Sequence, residues 1–492
     1  MYRRPSKRMQ LIQRVATYVT MVFAVVAIVG VILLVILGYR LDSENGLEQG
    51  ALLQFNTQPT GAVVKIDDIT IGGRTPNKSS VLAGTHTVTM LRDGYLPWTK
   101  NVNLNAGTLT WLDYGILVPQ ELPVTSIASF ASLNGALMPS NRESVILLPD
   151  ASIPSLHIYD LRSQTPPVEV VALPADIYSD GTTADASHTF TLSEATADGR
   201  YVLVKHHYKS EANGEHDEWI VFDTDNAANS KNATRLLEVG LSHVHFSGNS
   251  GTSLYGLNEG TIRKLDLSAQ TISRPLVSNV KDFTMVESNV ATFTANDPAN
   301  PSIELTGVYQ DGDDESAVLQ SVPAGTKTYV AASRYFNTTY MTVANGKQVS
   351  VLRGDLPHTT EAAAKLGLAT RFMTQGDILS LSFSPDGQYV FAQTNKGFVS
   401  YDIEHDRQYA VATAAEDGNE MMQWIDQATV ANAVNGQLTI REFDGANRHA
   451  LTPIDHRYPV TLSPNGRYLY SIGTTTESSS SVQLQRITLI LQ

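Results

Sequence analysis

The side chains of this chain that could begin a chemical step are histidines and clustered carboxylates. His243 and His245 flank Val244, so on a strand both would point to one face, and His206 and His207 precede His216, Asp217 and Glu218 in what reads as a loop. Either set could hold a metal ion through imidazole nitrogens. Small histidine clusters also arise without function, and partly buried or loop histidines are the plainer expectation. The run Asp311-Gly312-Asp313-Asp314-Glu315 has the carboxylate density of a calcium loop but not the twelve-residue spacing of an EF-hand, and is expected to be a solvated hairpin tip. Asp223 and Asp402 each end an apolar run. They are expected to accept backbone amides in turns, because nothing in the sequence brings two such carboxylates together as an acid and a base.

The motifs that usually carry catalysis are absent. There is no G-x-S-x-G elbow, phosphate loop, H-E-x-x-H or dinucleotide fingerprint, and no α/β-hydrolase domain is expected after the propeller region. The chain has no cysteine, so neither disulfides nor thiolate nucleophiles or ligands can operate and the fold must hold by packing. No catalytic residue, no cofactor-binding residue and no metal ligand is therefore assigned, and the expectation is a protein that is not an enzyme.

These residues sit in a chain of 492 amino acids, 42% hydrophobic and 17% charged, the makeup of folded domains with sizeable cores. The net charge of −14 is unevenly placed, since six of the 35 Lys and Arg lie before residue 41 and no Asp or Glu does. The acidic remainder would repel nucleic acid, so no nucleic-acid partner is expected.

The uncharged run Val15–Tyr39, as a helix about 37 Å long, can cross a hydrocarbon core of about 30 Å with some tilt. Arg3, Arg4, Lys7, Arg8 and Arg14 precede it and Asp42, Glu44 and Glu48 follow, so the positive-inside bias keeps residues 1–14 in the cytoplasm and translocates the rest. The run is too long for the apolar region of a cleaved signal peptide and closes on Leu37-Gly38-Tyr39-Arg40 instead of an A-x-A-like site. The lipid bilayer is thus the first expected partner, and a single-pass plasma-membrane protein the expected localisation. Ala16, Thr20, Ala24 and Ala27 recur at helical spacing and could let two such helices approach, although a lipid-facing anchor is the simpler reading. Residues 40–50 read as a flexible spacer with two glycines.

From Leu52 the pattern turns to period two: Leu53 and Phe55, Val64 and Ile66, Val88 and Met90, Val102 and Leu104, each pair bounded by Gly, Pro or Asn. The punctuation runs Pro59-Thr60-Gly61-Ala62, then Val64-Lys65-Ile66-Asp67, Gly73-Arg74-Thr75-Pro76, Gly84-Thr85-His86-Thr87-Val88 and Asp93-Gly94-Tyr95. This spacing resembles the PEGA domain over residues 51–118. The resemblance implies a small non-catalytic β-sandwich of the kind found outside cells, with His86 packed or turn-bonded. The sequence departs from the pattern at Asp68 and Ile69-Thr70-Ile71, where a longer second hairpin is expected, and Tyr95, Trp98 and Trp111 are expected to cap the sheet.

Across residues 119–492 a hairpin unit recurs. Its clearest copy is Leu381-Ser382-Phe383-Ser384-Pro385-Asp386-Gly387-Gln388-Tyr389-Val390-Phe391, with Pro385 setting φ and Gly387 supplying a positive one. Others are Ala197–Leu203 with Ile220–Asp223, and Leu462–Tyr470, while weaker copies begin near Phe246, Phe283, Tyr329 and Trp424 and an early one carries His157-Ile158-Tyr159-Asp160. Eight units of about 46 residues fit four-stranded blades. The copies resemble WD40-like and TolB-type repeats, which implies a β-propeller of seven or eight blades, with Val482–Leu491 closing the ring against the first blade. Thr360–Leu368 is the one short helix expected there.

The expected fold is all-β: an N-terminal transmembrane helix (15–39), a PEGA-like β-sandwich (51–118), then the propeller (119–492). Loops at one end of such a ring recognise partners readily, so the two resemblances imply an extracytoplasmic binding or scaffolding protein of the bacterial cell envelope, its partner an envelope protein or cell-wall glycan. The alternative is an extracytoplasmic propeller enzyme, a lyase or glycan hydrolase. It would need paired carboxylates on the inner strands.

Overall fold

A computed structural model describes residues 7–36, 39–42, 46–183, 186–211, 214–413, 420–474 and 481–491. The chain divides into two compact units, residues 1–121 and 122–492. In the first, one helix runs from Lys7 to Ile36, and its segment Arg14–Leu34, 21 residues with mean hydropathy 2.6, is long and apolar enough to cross a membrane. The helix starts before Val15 because Lys, Arg, Met and Gln in the basic tail are themselves good helix formers. It does not reach Tyr39, which is taken by a β-ladder instead. Within it the Thr20 hydroxyl donates to the Ala16 carbonyl (2.9 Å).

The expected spacer is a hairpin. Strand Tyr39–Asp42 pairs antiparallel with the start of Gly46–Gln58, in the register Tyr39 to Gln49 and Asp42 to Gly46. The same long strand continues into a sandwich of two four-stranded sheets. One holds Gly46–Gln58 between Asn77–Leu82 and a parallel partner, Leu109–Ile116; the other runs Ile69–Arg74, Val63–Ile66, Gly84–Leu91, Trp98–Leu104. Leu53, Phe55, Val64, Val88, Met90, Leu104 and Leu112 are all buried, as the period-two pattern requires.

Two details differ from expectation. The second hairpin is not lengthened at its turn: Ile66 pairs directly with Ile69, and Asp67 and Asp68 form a two-residue turn with φ of 49° and 67°. Aspartate tolerates this left-handed region better than most residues, so the missing glycine is not needed. Asp67 also accepts the Thr87 amide (2.8 Å) and bonds the His86 ring nitrogen Nδ1 (2.6 Å), which makes His86 turn-bonded. Secondly, Tyr95 and Trp98 are buried, but Trp111 is 42% exposed and points away from the core.

Among its described residues the second unit is a ring of eight four-stranded antiparallel sheets. Numbered in chain order, blades 1 to 8 span 135–172, 187–232, 243–272, 280–323, 328–373, 378–412, 423–453, and 461–488 with Val124–Phe130. The final strand Val482–Thr488 closes the ring, and does so as the third strand of blade 8, pairing with the chain's own first propeller strand from Val482 to Phe130 through Ile487 to Val124. Leu133, Val145, Leu147 and Tyr159 of the first blade region pack with Tyr468, Tyr470, Ile472 and Leu484 across the joint.

Every copy of the repeat singled out in the sequence supplies a blade, and three share one turn between first and second strands. In blade 6 the Ser384 carbonyl accepts the Gly387 amide (2.9 Å), the Ser384 hydroxyl donates to Asp386 (2.6 Å) and the same oxygen accepts the Tyr389 amide (2.9 Å). Thr196 and Ser463 repeat these bonds with Asp198 and Tyr201, and with Asn465 and Tyr468. At the ends of third strands, Asp223 accepts the amides of Asp225 and Asn226 and Asp402 those of Glu404 and His405, so both are turn-forming groups.

The short helix is one turn, Thr360–Ala363, capped by Thr359, and Leu368 belongs to a strand; a second, Ala233–Leu237, follows the cap Asn232. Gly387 meets two demands at once, a φ of +80° and a site where a Cβ would lie 2.5 Å from the Arg334 carbonyl oxygen of blade 5. Gly387→Ala should cost about 3 kcal/mol through backbone strain and the clash. Chemical denaturation checks this, and a midpoint within error of the parent would refute the close approach.

Candidate binding face of the propeller

The first strands of the blades line the central channel. Toward the end that carries the Ser384-type turns, two cavities of about 420 and 430 Å³ meet at Met285 and Val286. The first is walled by blades 1 to 4, including Pro139, Glu194, Asn249 and Glu287, and the second by blades 4 to 6, including Asp282, Thr284, Tyr329 and Ser333. Among the described residues no Lys or Arg lines either, so the mouth presents hydroxyls, carboxylates and apolar patches. It suits a neutral polar or a cationic group and disfavours an anion.

His245 lies at this wall, on the first strand of blade 3. Its Nδ1 meets Glu194 Oε2 of blade 2 (2.8 Å) and its Nε2 meets the Phe283 carbonyl of blade 4 (3.1 Å), while its ring stands edge-on to Phe283. One imidazole thus ties three consecutive blades. His243 shares that face of the strand, opposite buried Val244 and Phe246, but is exposed and does not join the strut.

The other histidine group is not a loop. His206, His207 and Tyr208 pair with Glu218, Asp217 and His216 on the two long strands Tyr201–Ser210 and Gly214–Asp223 of blade 2. Alternation of buried Val204 and His206 with more exposed neighbours carries the strand past the point where polarity alone suggests an end. His206 is fully buried, stacked on Phe190 with ring centroids 4.4 Å apart, and reaches Glu218 Oε1 through Nδ1 (2.7 Å) and His188 Nδ1 through Nε2 (3.0 Å). Glu218 also accepts the Ser179 amide and hydroxyl, both at 2.8 Å. Burial pushes the Glu218 carboxyl up, but the bonds from His206, Asn232 and Ser179 outweigh it and hold the group below the usual glutamate range. Burial, and then His206, press His188 below the ordinary histidine value.

The acidic run Asp311–Glu315 is the tip of the hairpin between Ile303–Gln310 and Ala317–Pro323, and three of its carboxylates make inter-blade ion pairs. Lys264 Nζ reaches Asp311 (2.5 Å) and Arg274 reaches Asp314 (3.1 Å) from blade 3, and His358 reaches Asp313 (3.0 Å) from blade 5. Among the described residues no group of three or more His, Asp or Glu is arranged to hold a metal ion.

One residue at the face was missed in the sequence. Phe336, at the turn of blade 5 that neighbours Gly387, has φ of 50° and is 79% exposed; its ring leans on Tyr335 (4.6 Å), whose hydroxyl donates to Glu404 (2.7 Å). A bulky aromatic in a left-handed turn costs stability, and here it gains no burial. The available signal was an aromatic where such turns usually carry Gly or Asn.

The sandwich of the first unit has its reversals at Pro59–Ala62, Asp67–Asp68 and Gly94–Tyr95, in the order the sequence resemblance requires. Residues 51–117 match the PEGA domain family. The PEGA domain accounts for one part of the chain, and no curated protein matches the sequence. Structures similar to this chain are propellers or contain one: the Dos1 propeller (13% identity, TM-score 0.46, 75% of this chain and 96% of that one), the Myceliophteria thermophila Cps50 (Swd1) β-propeller domain (11%, 0.37, 74% and 99%), and Porphyromonas gingivalis dipeptidyl peptidase 4 (11%, 0.48, 73% and 58%).

Two outcomes are expected. Phe336→Asn should raise stability by about 1 kcal/mol, since Asn accepts positive φ more cheaply; an unchanged or lower denaturation midpoint would remove the strain argument. The native His188 ring binds its proton less readily than the unfolded one, so stability in blade 2 should fall as the pH drops through about 6.5, and fall further below about 4.5 as Glu218 is forced to protonate. Hydrogen exchange compared at pH 7.5 and 5.5, corrected for intrinsic rates, should show faster opening of 187–210 and 214–223 at the lower pH; equal protection would contradict it.

Proposed function

We propose that this protein is a membrane-anchored, extracytoplasmic binding or scaffolding protein of the bacterial cell envelope, whose propeller presents the turn end of its channel to an envelope protein or a cell-wall glycan. The observation that carries the reading is the channel mouth: an open, acidic and hydroxyl-rich concavity beside the strained, exposed Phe336. A single apolar helix and a PEGA domain, a module of extracellular type, support a position for that face outside a membrane. The basic tail before the helix supports a cytoplasmic N-terminus in the plasma membrane.

A non-catalytic role fits the state of the carboxylates. Of the three carboxylates that line the cavities, Glu194 is engaged by His245 and Asp282 accepts the Phe283 amide (3.0 Å), which leaves Glu287, while the buried Glu218 lies in a hydrogen-bond network away from either cavity. A lyase or glycan hydrolase would instead place two free carboxyls across a substrate-sized gap. The charge of the mouth selects between partner types: a neutral glycan, or a cationic segment of a protein.

Full-length protein in detergent, incubated with protein-free cell wall and separately with solubilised envelope proteins, tests this. Retention by wall that resists high salt supports a glycan, and capture of one basic protein that salt reverses supports a scaffold. Phe336→Asn, and Asp282→Lys combined with Glu287→Lys, should each lower retention at least about tenfold, which is about 1.4 kcal/mol. Retention of neither, together with release of soluble fragments from envelope polymers, would replace this reading with the enzymatic one.

A further inference from the structure

The two outer faces of the PEGA domain are unlike. On the sheet of Val63–Ile66, Gly84–Leu91 and Trp98–Leu104, the outward residues include Lys65, Thr85, Thr87, Thr89, Thr99, Asn101 and Asn103, cross-linked in part by Thr87 to Asn101 (2.8 Å), an ordinary wet surface. On the other sheet they are Leu52, Leu82, Leu109 and Trp111, each 38–42% exposed. The register gathers them: Leu52 is level with Leu109, Gln54 with Trp111 and Gly50 with Leu82. Lys78, opposite Gln54, is the charged residue of these rows, and Asp113 falls beyond Trp111 in the direction of rising number.

The hairpin at 39–49 decides where that patch stands. The strand Gly46–Gln58 runs back alongside Tyr39–Asp42, so Gln49 is level with Tyr39, three residues past the end of the helix at Ile36. Three residue steps can span at most about 10 Å, so with one inter-strand step and three more residues along the strand the Leu52–Leu109 row lies within roughly 25 Å of the helix terminus, and the Leu82–Gly50 row closer. Charge points the same way: residues 51–118 carry five Lys and Arg against four Asp and Glu, whereas 119–492 carry 24 against 42. An anionic lipid surface repels the propeller but not the PEGA domain.

We propose that the Leu52, Leu82, Leu109 and Trp111 face of the PEGA domain lies on the surface of the bilayer that the helix crosses. Trp111 then sits in the interfacial zone where indoles concentrate, and Lys78 reaches lipid phosphates. The domain is held flat on the membrane by the second of two attachments, the helix being the first. Docking of this face rests on the anchored reading of the helix.

The absence of cysteine makes a clean test possible. Full-length Trp111→Cys and Leu109→Cys, with Thr99→Cys on the polar face and Ala24→Cys in the helix, are each labelled with a nitroxide and placed in nanodiscs of phosphatidylglycerol and phosphatidylcholine. The oxygen-to-nickel collision ratio should be highest at 24, intermediate at 109 and 111, and several-fold lower at 99. A high ratio at 24 with 109 and 111 as aqueous as 99 would overturn the docking and leave the anchor standing. Labels at 109 and 111 shielded from both reagents would overturn it in favour of a covering protein surface, whether the propeller, a second copy or another chain. A label at 24 that is itself aqueous would remove the anchor and the proposal together.

Discussion

The ladder between Val482–Thr488 and Val124–Phe130 is the interaction on which the rest of the propeller depends. With no cysteine in the chain, no disulfide can join the ends of the ring. Without that ladder blade 8 would have a bare edge, the cluster around Tyr470 and Leu484 would lose Leu133 and Val145, and the first strands would no longer face a common axis. The channel mouth is therefore a property of closure before it is a property of any side chain. The buried Tyr458 hydroxyl, donating to the Leu133 carbonyl, fastens the same joint from the loop side.

Polar side chains take over the cross-linking that disulfides would otherwise provide. His245 spans three blades, the acidic loop at 311–315 collects cations from blades 3 and 5, and His206 with Glu218 and Ser179 fixes the long hairpin of blade 2 to the loop before it. Surface pairs of this kind are individually weak. The buried ones matter more, because removing one partner leaves the other unsatisfied where water cannot reach.

What could be read from sequence follows the range of the forces involved. The turn at Ser384–Tyr389 carries all its hydrogen-bond partners within six residues, so Ser-Pro-Asp-Gly-x-Tyr announces a blade wherever it occurs, and period-two alternation fills in the drifted copies. The PEGA core is legible for the same reason. The hairpin at 39–49 is not, because its polar composition is that of a linker until a sheet is present to extend. Strand pairing of His206 with Glu218 is hidden because buried polar residues break the alternation that marks a strand. Trp111 is expected to cap the sheet, although its parity on the strand puts it opposite buried Leu112, and Phe336 needs a backbone angle that composition does not encode.

The borrowed outer strand of blade 8 also sets an order of events in synthesis. Val124–Phe130 leaves the ribosome early, and its partner is made roughly 350 residues later, which at 5–20 residues per second is on the order of tens of seconds. Through that interval a seven-residue strand has no mate in its own chain. Whatever sequence it carries must stay soluble alone and yet outcompete every neighbouring edge when Val482–Thr488 arrives. Its run Val-Thr-Ser-Ile-Ala-Ser-Phe, half hydroxyls and small residues, is a strand mild enough to wait.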